Sequence, residues 1–128
     1  MRVLLDTHAL LWWLAGDAAL SSGAQACIAD PANEIFVSAA SAWEVSTKHR
    51  LGKLPGAGPL AVDFARELAA QGFQPLPISV GHGQAAGALV GAHRDPFDRM
   101  LIAQAIDERM ALVSNETAFD AFAVLRIW

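Results

Sequence analysis

Cysteine is almost missing from this chain: Cys27 is the only one in 128 residues. A lone thiol excludes an intrachain disulfide and a cysteine-based zinc cluster. Basic residues are scarce as well, with 9 Lys and Arg against 13 Asp and Glu and a net charge of −4. Proteins that coat nucleic acid by charge alone are normally basic, so that role is excluded. An acidic balance still suits an enzyme whose carboxylates hold metal ions, because the ions invert the local charge. No apolar run is long enough to span a membrane. The opening stretch MRVLLDTHALLWWLAG is broken by Asp6 and His8 and does not read as a secretory leader, so a cytoplasmic protein is expected. Internal repeats, linkers and low-complexity tracts are missing too, which leaves one domain over 1–128 as the expectation. No glycine-rich phosphate loop follows either early strand, against a nucleotide-binding module.

What is present is enough apolar material for a core, 54% hydrophobic residues against 17% charged. A mean hydropathy of +0.33 and 4 tryptophans are high for a small monomer, and point to apolar surface kept for a partner or a second copy. The few cations cluster, as Lys48, His49, Arg50 and Lys53 and as His93, Arg94 and Arg99. Such clusters are solvated faces or receive phosphates.

Short apolar runs alternate with helical patterns. Strands are expected at Arg2–Leu5, Glu34–Ser38, Ala111–Val113 and Val124–Ile127, with a short or edge strand in the proline-interrupted Phe73–Ile78. Helices are expected at Ala9–Ala15 (stopped by Gly16), Ser21–Ala29, from Ser38 or Ser41 to Leu51, at Pro59–Ala70, Ser79–Leu89 and from Asp95-Pro96 to Arg109. This alternation predicts a three-layer α/β/α sandwich around a mostly parallel sheet. Sites in such sheets lie beyond the carboxyl ends of the strands, which directs attention to Asp6, Ser38 and Ser114-Asn115-Glu116.

Asp6 can cap the helix that follows it or belong to a site. Glu44, in SAASAWEVSTKHRLGKL, can pair with Lys48 on a surface. Yet Ala40, Thr47 and Leu51 make an apolar stripe around it, and a carboxylate turned inward needs a cation. Asp95 reads as the cap before Pro96. Asp98 shares its face with Leu101, Ile102 and Ala105, so it sits at the top of a core-facing stripe, aimed at the strand ends. Glu116 follows a strand as Asp6 does, and Asp120 reads as surface. Carboxylates that converge raise each other's pKa unless divalent cations lie between them. Oxygen-only ligands suit Mg²⁺ or Mn²⁺, and such ions can drive phosphodiester hydrolysis.

Four stretches, LLDTHALLWWL, SAASAWEVSTKHRLGKL, HRDPFDRMLIAQA and LVSNETAF, occur in an order that resembles the PIN-domain family, most closely the VapC-type toxins of bacterial toxin–antitoxin operons. The resemblance covers nearly the whole chain. It implies a Rossmann-like sandwich that binds Mg²⁺ or Mn²⁺ and cuts single-stranded RNA or tRNA. Asp6, Glu44 and Asp98 match the family's three invariant acids, and Glu116 stands where the family often has Asp. Asp6 and Asp98 would ligate metal, Glu44 would orient water or complete the shell, and Glu116 would support a second ion, with Asp95 as accessory. Ser114, Asn115, Lys48, Arg50 and Arg99 are candidates for substrate contact. The resemblance also implies a homodimer and a VapB-type antitoxin whose C-terminal segment, often with an Arg, enters the acidic site, with Trp12 and Trp13 as candidate contacts. Two rivals remain: a degenerate PIN domain that binds without cutting, against which the three acids stand, and a haloacid-dehalogenase-like phosphatase. The latter needs a second Asp where this chain has His8.

Overall fold

The computed structural model describes residues 1–128. Five strands, β1 (Arg2–Leu5), β2 (Glu34–Ser38), β3 (Gln74–Leu76), β4 (Ala111–Val113) and β5 (Arg126–Ile127), form one sheet in the order β3-β2-β1-β4-β5. Every pairing is parallel, as the alternation of strands with helices requires. The helices are α1 (Thr7–Ala15), α2 (Ser22–Ala29), α3 (Ala39–Arg50), α4 (Gly58–Val62), α5 (Phe64–Gln71), α6 (Val80–Ala88) and α7 (Pro96–Asp107). None is long and apolar enough to cross a membrane.

Side chains along a strand alternate between faces, and the core divides accordingly. Val3, Leu5, Ile35, Val37 and Val113 pack with Leu10, Ile28 and Leu68 on one side of the sheet. Leu4, Phe36, Leu76 and Leu112 pack with Ala40, Leu101, Ile102 and Ala105 on the other. The α/β/α sandwich follows, with α1, α2 and α5 on one face and α3 and α7 on the other. Central strand β1 has Val3, Leu4 and Leu5 fully buried.

Three expectations shift. Pro59–Ala70 is not one helix: α4 ends at Val62, and Asp63 leaves helical geometry (φ −150°, ψ 86°) so that its carboxylate can accept from the Arg66 N–H and cap α5. An Asp side chain competes with the helix for backbone donors, and here it wins. The last strand shortens to Arg126–Ile127. The helix after Asp6 begins at Thr7 rather than Ala9, because Asp6 caps it, and it ends at Gly16, whose left-handed backbone (φ +63°) returns its N–H to Trp12 and Trp13. The proline-bearing strand β3 does take an edge, where Pro75 leaves no central ladder unpaired. Glycine-rich α6 is held by a reciprocal cap between Ser79 and His82.

The sheet order changes direction at β1, with β2 on one side and β4 on the other. The crevice at such a switch point is where parallel sheets place their ligands. The residues that leave β1 and β4 at that crevice are Asp6 and Ser114.

Candidate active site

Asp6 continues the end of β1, its N–H donating to Val113 O at 3.0 Å. Its Oδ1 accepts from the Ala9 N–H at 2.7 Å, so the residue is a helix cap and a site candidate together. The side chain is buried, and that burial pushes its pKa above the usual carboxylate range. The Ser114 hydroxyl, the Ala9 N–H and His8 pull it back, while the Glu44 charge raises it further.

Glu44 projects inward from α3 and is 4% exposed. Lys48 Nζ, one turn on, donates to its Oε2 at 2.5 Å. The surface ion pair and the inward acid are thus the same object. Lys48 supplies the cation that a buried carboxylate requires.

Asp98 stands in the first turn of α7, which Asp95 caps by accepting from the N–H groups of Phe97 and Asp98. Burial raises the pKa of Asp98; His93 opposes the rise, and Asp95 and Glu44 add to it. The charge of Glu44 acts on both Asp6 and Asp98, so each of the two lies near it.

Two hydrogen bonds lock the elements that carry these acids. Thr7 Oγ1 donates to Ser41 Oγ at 2.9 Å and joins the first turns of α1 and α3. Ser38 Oγ, the cap of α3, meets Gln104 Oε1 of α7 at 2.5 Å, and Gln104 Nε2 donates onward to Pro77 O. All four of Thr7, Ser41, Ser38 and Gln104 are buried, where a polar contact fixes position more firmly than it does in water.

The remaining candidates are spread out. Ser114 is fully buried against Asp6, with its Oγ accepting from the Glu116 N–H at 3.0 Å. Asn115 and Glu116 are exposed on the rim, and the charge of Glu116 is felt by Arg126 rather than by Asp6. Arg50 is exposed at the end of α3. Arg99 gives its guanidinium to the carbonyls of Ala86, Leu89 and His93, so it fastens the segment before α7. Asp120 forms a two-pronged pair with Arg126, which also donates to Ser114 O.

Sequence reasoning placed His93 only in a basic cluster, yet its Nε2 lies 2.8 Å from Asp98 Oδ2. The ring rests edge-on against Phe119. In HRDPFD the two residues are five apart across a Pro turn, a spacing no helix or strand rule flags.

A hard divalent cation fits the donor set at Asp6, Glu44 and Asp98. The donors are all oxygen, two of the carboxyls are held above their usual range, and the charges repel through Glu44. The tighter trio of His82, Asp107 and Glu108, with ligand atoms within 4.8 Å of one another, lies at the far end of α7. There His82 Nδ1 accepts from the Ser79 N–H, which leaves Nε2 to carry the proton and donate to Glu108 Oε1 at 2.9 Å. That trio is a hydrogen-bonded clamp.

A second surface adjoins the acids. His8, Leu11, Trp12, Leu54 and Leu60 line an open groove of about 510 Å³ between α1 and α4. Trp12 also packs on Trp128, whereas Trp13 is tied down by Phe73 and by its indole N–H donating to Gln71.

A parallel α/β/α sandwich with acids gathered at its switch point defines a class of protein, and comparison identifies it. The PIN domain family model matches residues 3–125, and the chain belongs to the PIN-domain family. Ribonuclease VapC16 of Mycobacterium tuberculosis is 40% identical over 58 residues, which is 45% of this chain and 41% of that protein. The match thus spans well under half the length of that relative. Among solved structures, VapBC2 from Rickettsia felis, bound to a promoter DNA fragment, superposes with a TM-score of 0.68 at 15% identity over 98% of this chain and 97% of that one. VapC20 from M. tuberculosis, described as a sarcin-ricin-loop-cleaving toxin, gives 0.65 at 14% identity over 97% and 98%. A toxin–antitoxin complex from Klebsiella pneumoniae gives 0.60 at 24% identity over 90% and 87%. At these identities the likeness is one of fold.

Proposed function

We propose that this chain, as one PIN domain over 1–128, is a Mg²⁺- or Mn²⁺-dependent endoribonuclease that cuts single-stranded RNA or tRNA. It acts as the toxin of a VapBC-type pair in the cytoplasm. One observation carries the proposal: buried Asp6 just after β1 and half-buried Asp98 in the first turn of α7 both feel the charge of buried Glu44 on α3, which raises the pKa of each. Such a group is costly unless cations compensate it.

Asp6, Glu44 and Asp98 would hold the ion, with Glu116 reaching in from the rim as an outer ligand. A bound divalent ion supplies a water of lowered pKa and neutralises charge on the phosphodiester. The chain's own groups prepare the ground. His93 fixes Asp98 through Oδ2, which leaves Oδ1 outside that bond. Ser114 and the Ala9 N–H hold Asp6 in place. Lys48 balances Glu44 and stands within reach of a phosphate. Asn115 and Arg50 are outer contacts for the strand, Asp95 sets the first turn of α7, and Arg99 acts by holding the loop that carries His93.

The partners on this reading are RNA, a VapB-type antitoxin and a second copy of the chain. The groove along α1 supports the antitoxin, since His8, two residues from Asp6, lines it, and a segment laid there would reach the acids. Cleavage of a mixed tRNA and single-stranded RNA pool with Mg²⁺, Mn²⁺ or EDTA, beside Asp6→Asn and Asp98→Asn, tests the proposal. Metal-dependent cutting lost in both variants is expected, and cutting that survives either substitution overturns it. The Glu44–Lys48 ion pair favours a second reading, a catalytically degenerate PIN domain in which lysine has taken the cation's place. Well-folded protein, freed of any antitoxin, that binds RNA but never cuts it would establish that reading instead.

A further inference from the structure

Trp43 is 64% exposed, although tryptophan is on average a highly buried residue. Its place is specific. It precedes Glu44 on α3, as Phe97 precedes Asp98 on α7, so the contact between the two rings joins α3 to α7 one residue before each of two acids. The rings meet edge to face, with centroids 4.9 Å apart and planes at 72°. That contact braces Trp43 against α7 while most of the residue stays open to solvent. Beside it Ala40, Ile78, Pro96 and Met100 line a hollow of about 250 Å³, below the ~300–1,000 Å³ of sites for drug-sized ligands. Arg94 stands exposed on the turn that leads into α7.

We propose that Trp43, backed by Phe97, is the stacking platform for one unpaired base of the RNA, and so sets which phosphodiester reaches the acids. The inference rests on the ribonuclease reading above. Unpaired bases are recognised by stacking on aromatic rings, and neighbouring helix residues project about 100° apart, so a base stacked on exposed Trp43 would anchor the strand outside the acids while its backbone passes over them. A second copy of the chain would need a broad face of about 800 Å² per partner. A single braced ring over a small hollow suits one flat heterocycle better.

The test uses an RNA that the wild-type chain cuts, with binding measured by fluorescence anisotropy in the non-cutting Asp6→Asn background. Adding Trp43→Ala is expected to weaken binding about tenfold, within the range for loss of one base–aromatic stack, while Trp43→Phe stays within about threefold. An abasic nucleotide at one position should erase the difference between the Trp43→Ala protein and its parent, and mass by light scattering should not change. Equal binding by the alanine variant, a deficit insensitive to abasic substitution at every position, or loss of a dimer on substitution each overturns the stacking role. Wild type that cuts RNA while Trp43→Ala binds as its parent does refutes this inference alone. Wild type that neither cuts nor binds any RNA refutes the ribonuclease reading and this inference with it.

Discussion

Asp6→Asn should make the metal-free chain more stable. The Asp6 side chain is 7% exposed, and both burial and Glu44 disfavour its charged form. At neutral pH the folded state therefore carries a charge that water would solvate better, and each tenfold loss of acidity on folding corresponds to ~1.4 kcal/mol. Two interactions favour the charge, the Ala9 N–H at 2.7 Å and the Ser114 hydroxyl. Asparagine keeps a carbonyl oxygen for Ala9 and caps helices about as well as aspartate. It forfeits only the charge-assisted part of these bonds, ~1 kcal/mol. The net change is a gain in stability, read as a higher Tm for Asp6→Asn than for wild type. Asp6→Ala also removes the charge but loses the cap, at a cost of ~1 kcal/mol, and should fall at or below wild type. Calorimetry at pH 7.5 in EDTA ranks the three. Mn²⁺ at about a hundred times its Kd then adds ~2.7 kcal/mol to a chain that binds it, so wild type should overtake Asp6→Asn. An asparagine variant less stable than wild type in EDTA, or raised by Mn²⁺ as much as wild type, would refute the reasoning.

Stability in EDTA should depend on pH in a defined direction. Asp6 and Asp98 both have raised folded pKa values, so the stability they contribute is full below the unfolded carboxylate value of ~3.9 and is lost as pH rises through the folded values. Urea titrations should show the advantage of Asp6→Asn/Asp98→Asn over wild type growing across that acid range and then levelling, and an advantage independent of pH counts against it. His93→Ala should weaken Mn²⁺ affinity about tenfold by calorimetric titration, the usual scale for a partner of a metal ligand, alongside a lower Tm in EDTA from the lost Asp98 and Phe119 contacts; unchanged affinity would remove His93 from the site. Lys48→Met should lower stability in EDTA by ~1–3 kcal/mol, since buried Glu44 loses its partner, and should gain more from Mn²⁺ than wild type does in thermal melts. Gln104→Leu strands Ser38 and the Pro77 carbonyl and should cost ~2–3 kcal/mol in urea unfolding.

The parts of this molecule that were legible in the sequence are those governed by local rules. β1, β2 and β4 are apolar runs bounded by polar residues, and parallel burial on both faces requires that pattern. Asp6 drew attention because it follows a strand and Asp98 because it tops a core-facing stripe; Glu44 is buried as expected, but Leu51 of the stripe assigned to it is exposed. The cap readings of Asp95 and Asp6 needed only preferences at helix starts. The His93–Asp98 contact was not legible, because it depends on how Arg94 to Pro96 turn, and Arg99 spends its guanidinium on carbonyls 6 to 13 residues away. The break at Asp63 was hidden by flanking residues that suit a helix, and the exposure of Glu116 by the length of the turn after β4.

Helix α7 shows why residue type alone does not identify a site. Asp98 and Asp107 lie at its two ends, about 13 Å apart along the axis, and each end gathers acids around a histidine. At the far end Nε2 of His82 lies 2.9 Å from Glu108 and 3.3 Å from Asp107, and Arg2 bonds the Glu108 carbonyl. There one imidazole N–H and Arg2 stand against the two carboxylates. At the near end Asp98 meets His93, but Asp95 and Glu44 press upon it, and Glu44 presses on Asp6 as well. Negative charge is left over, in a crevice where the chain has buried it. Folding alone would favour neutralising these residues, as the Asp6→Asn melt is designed to reveal. On the proposed reading, a divalent cation bound among them would offset that cost.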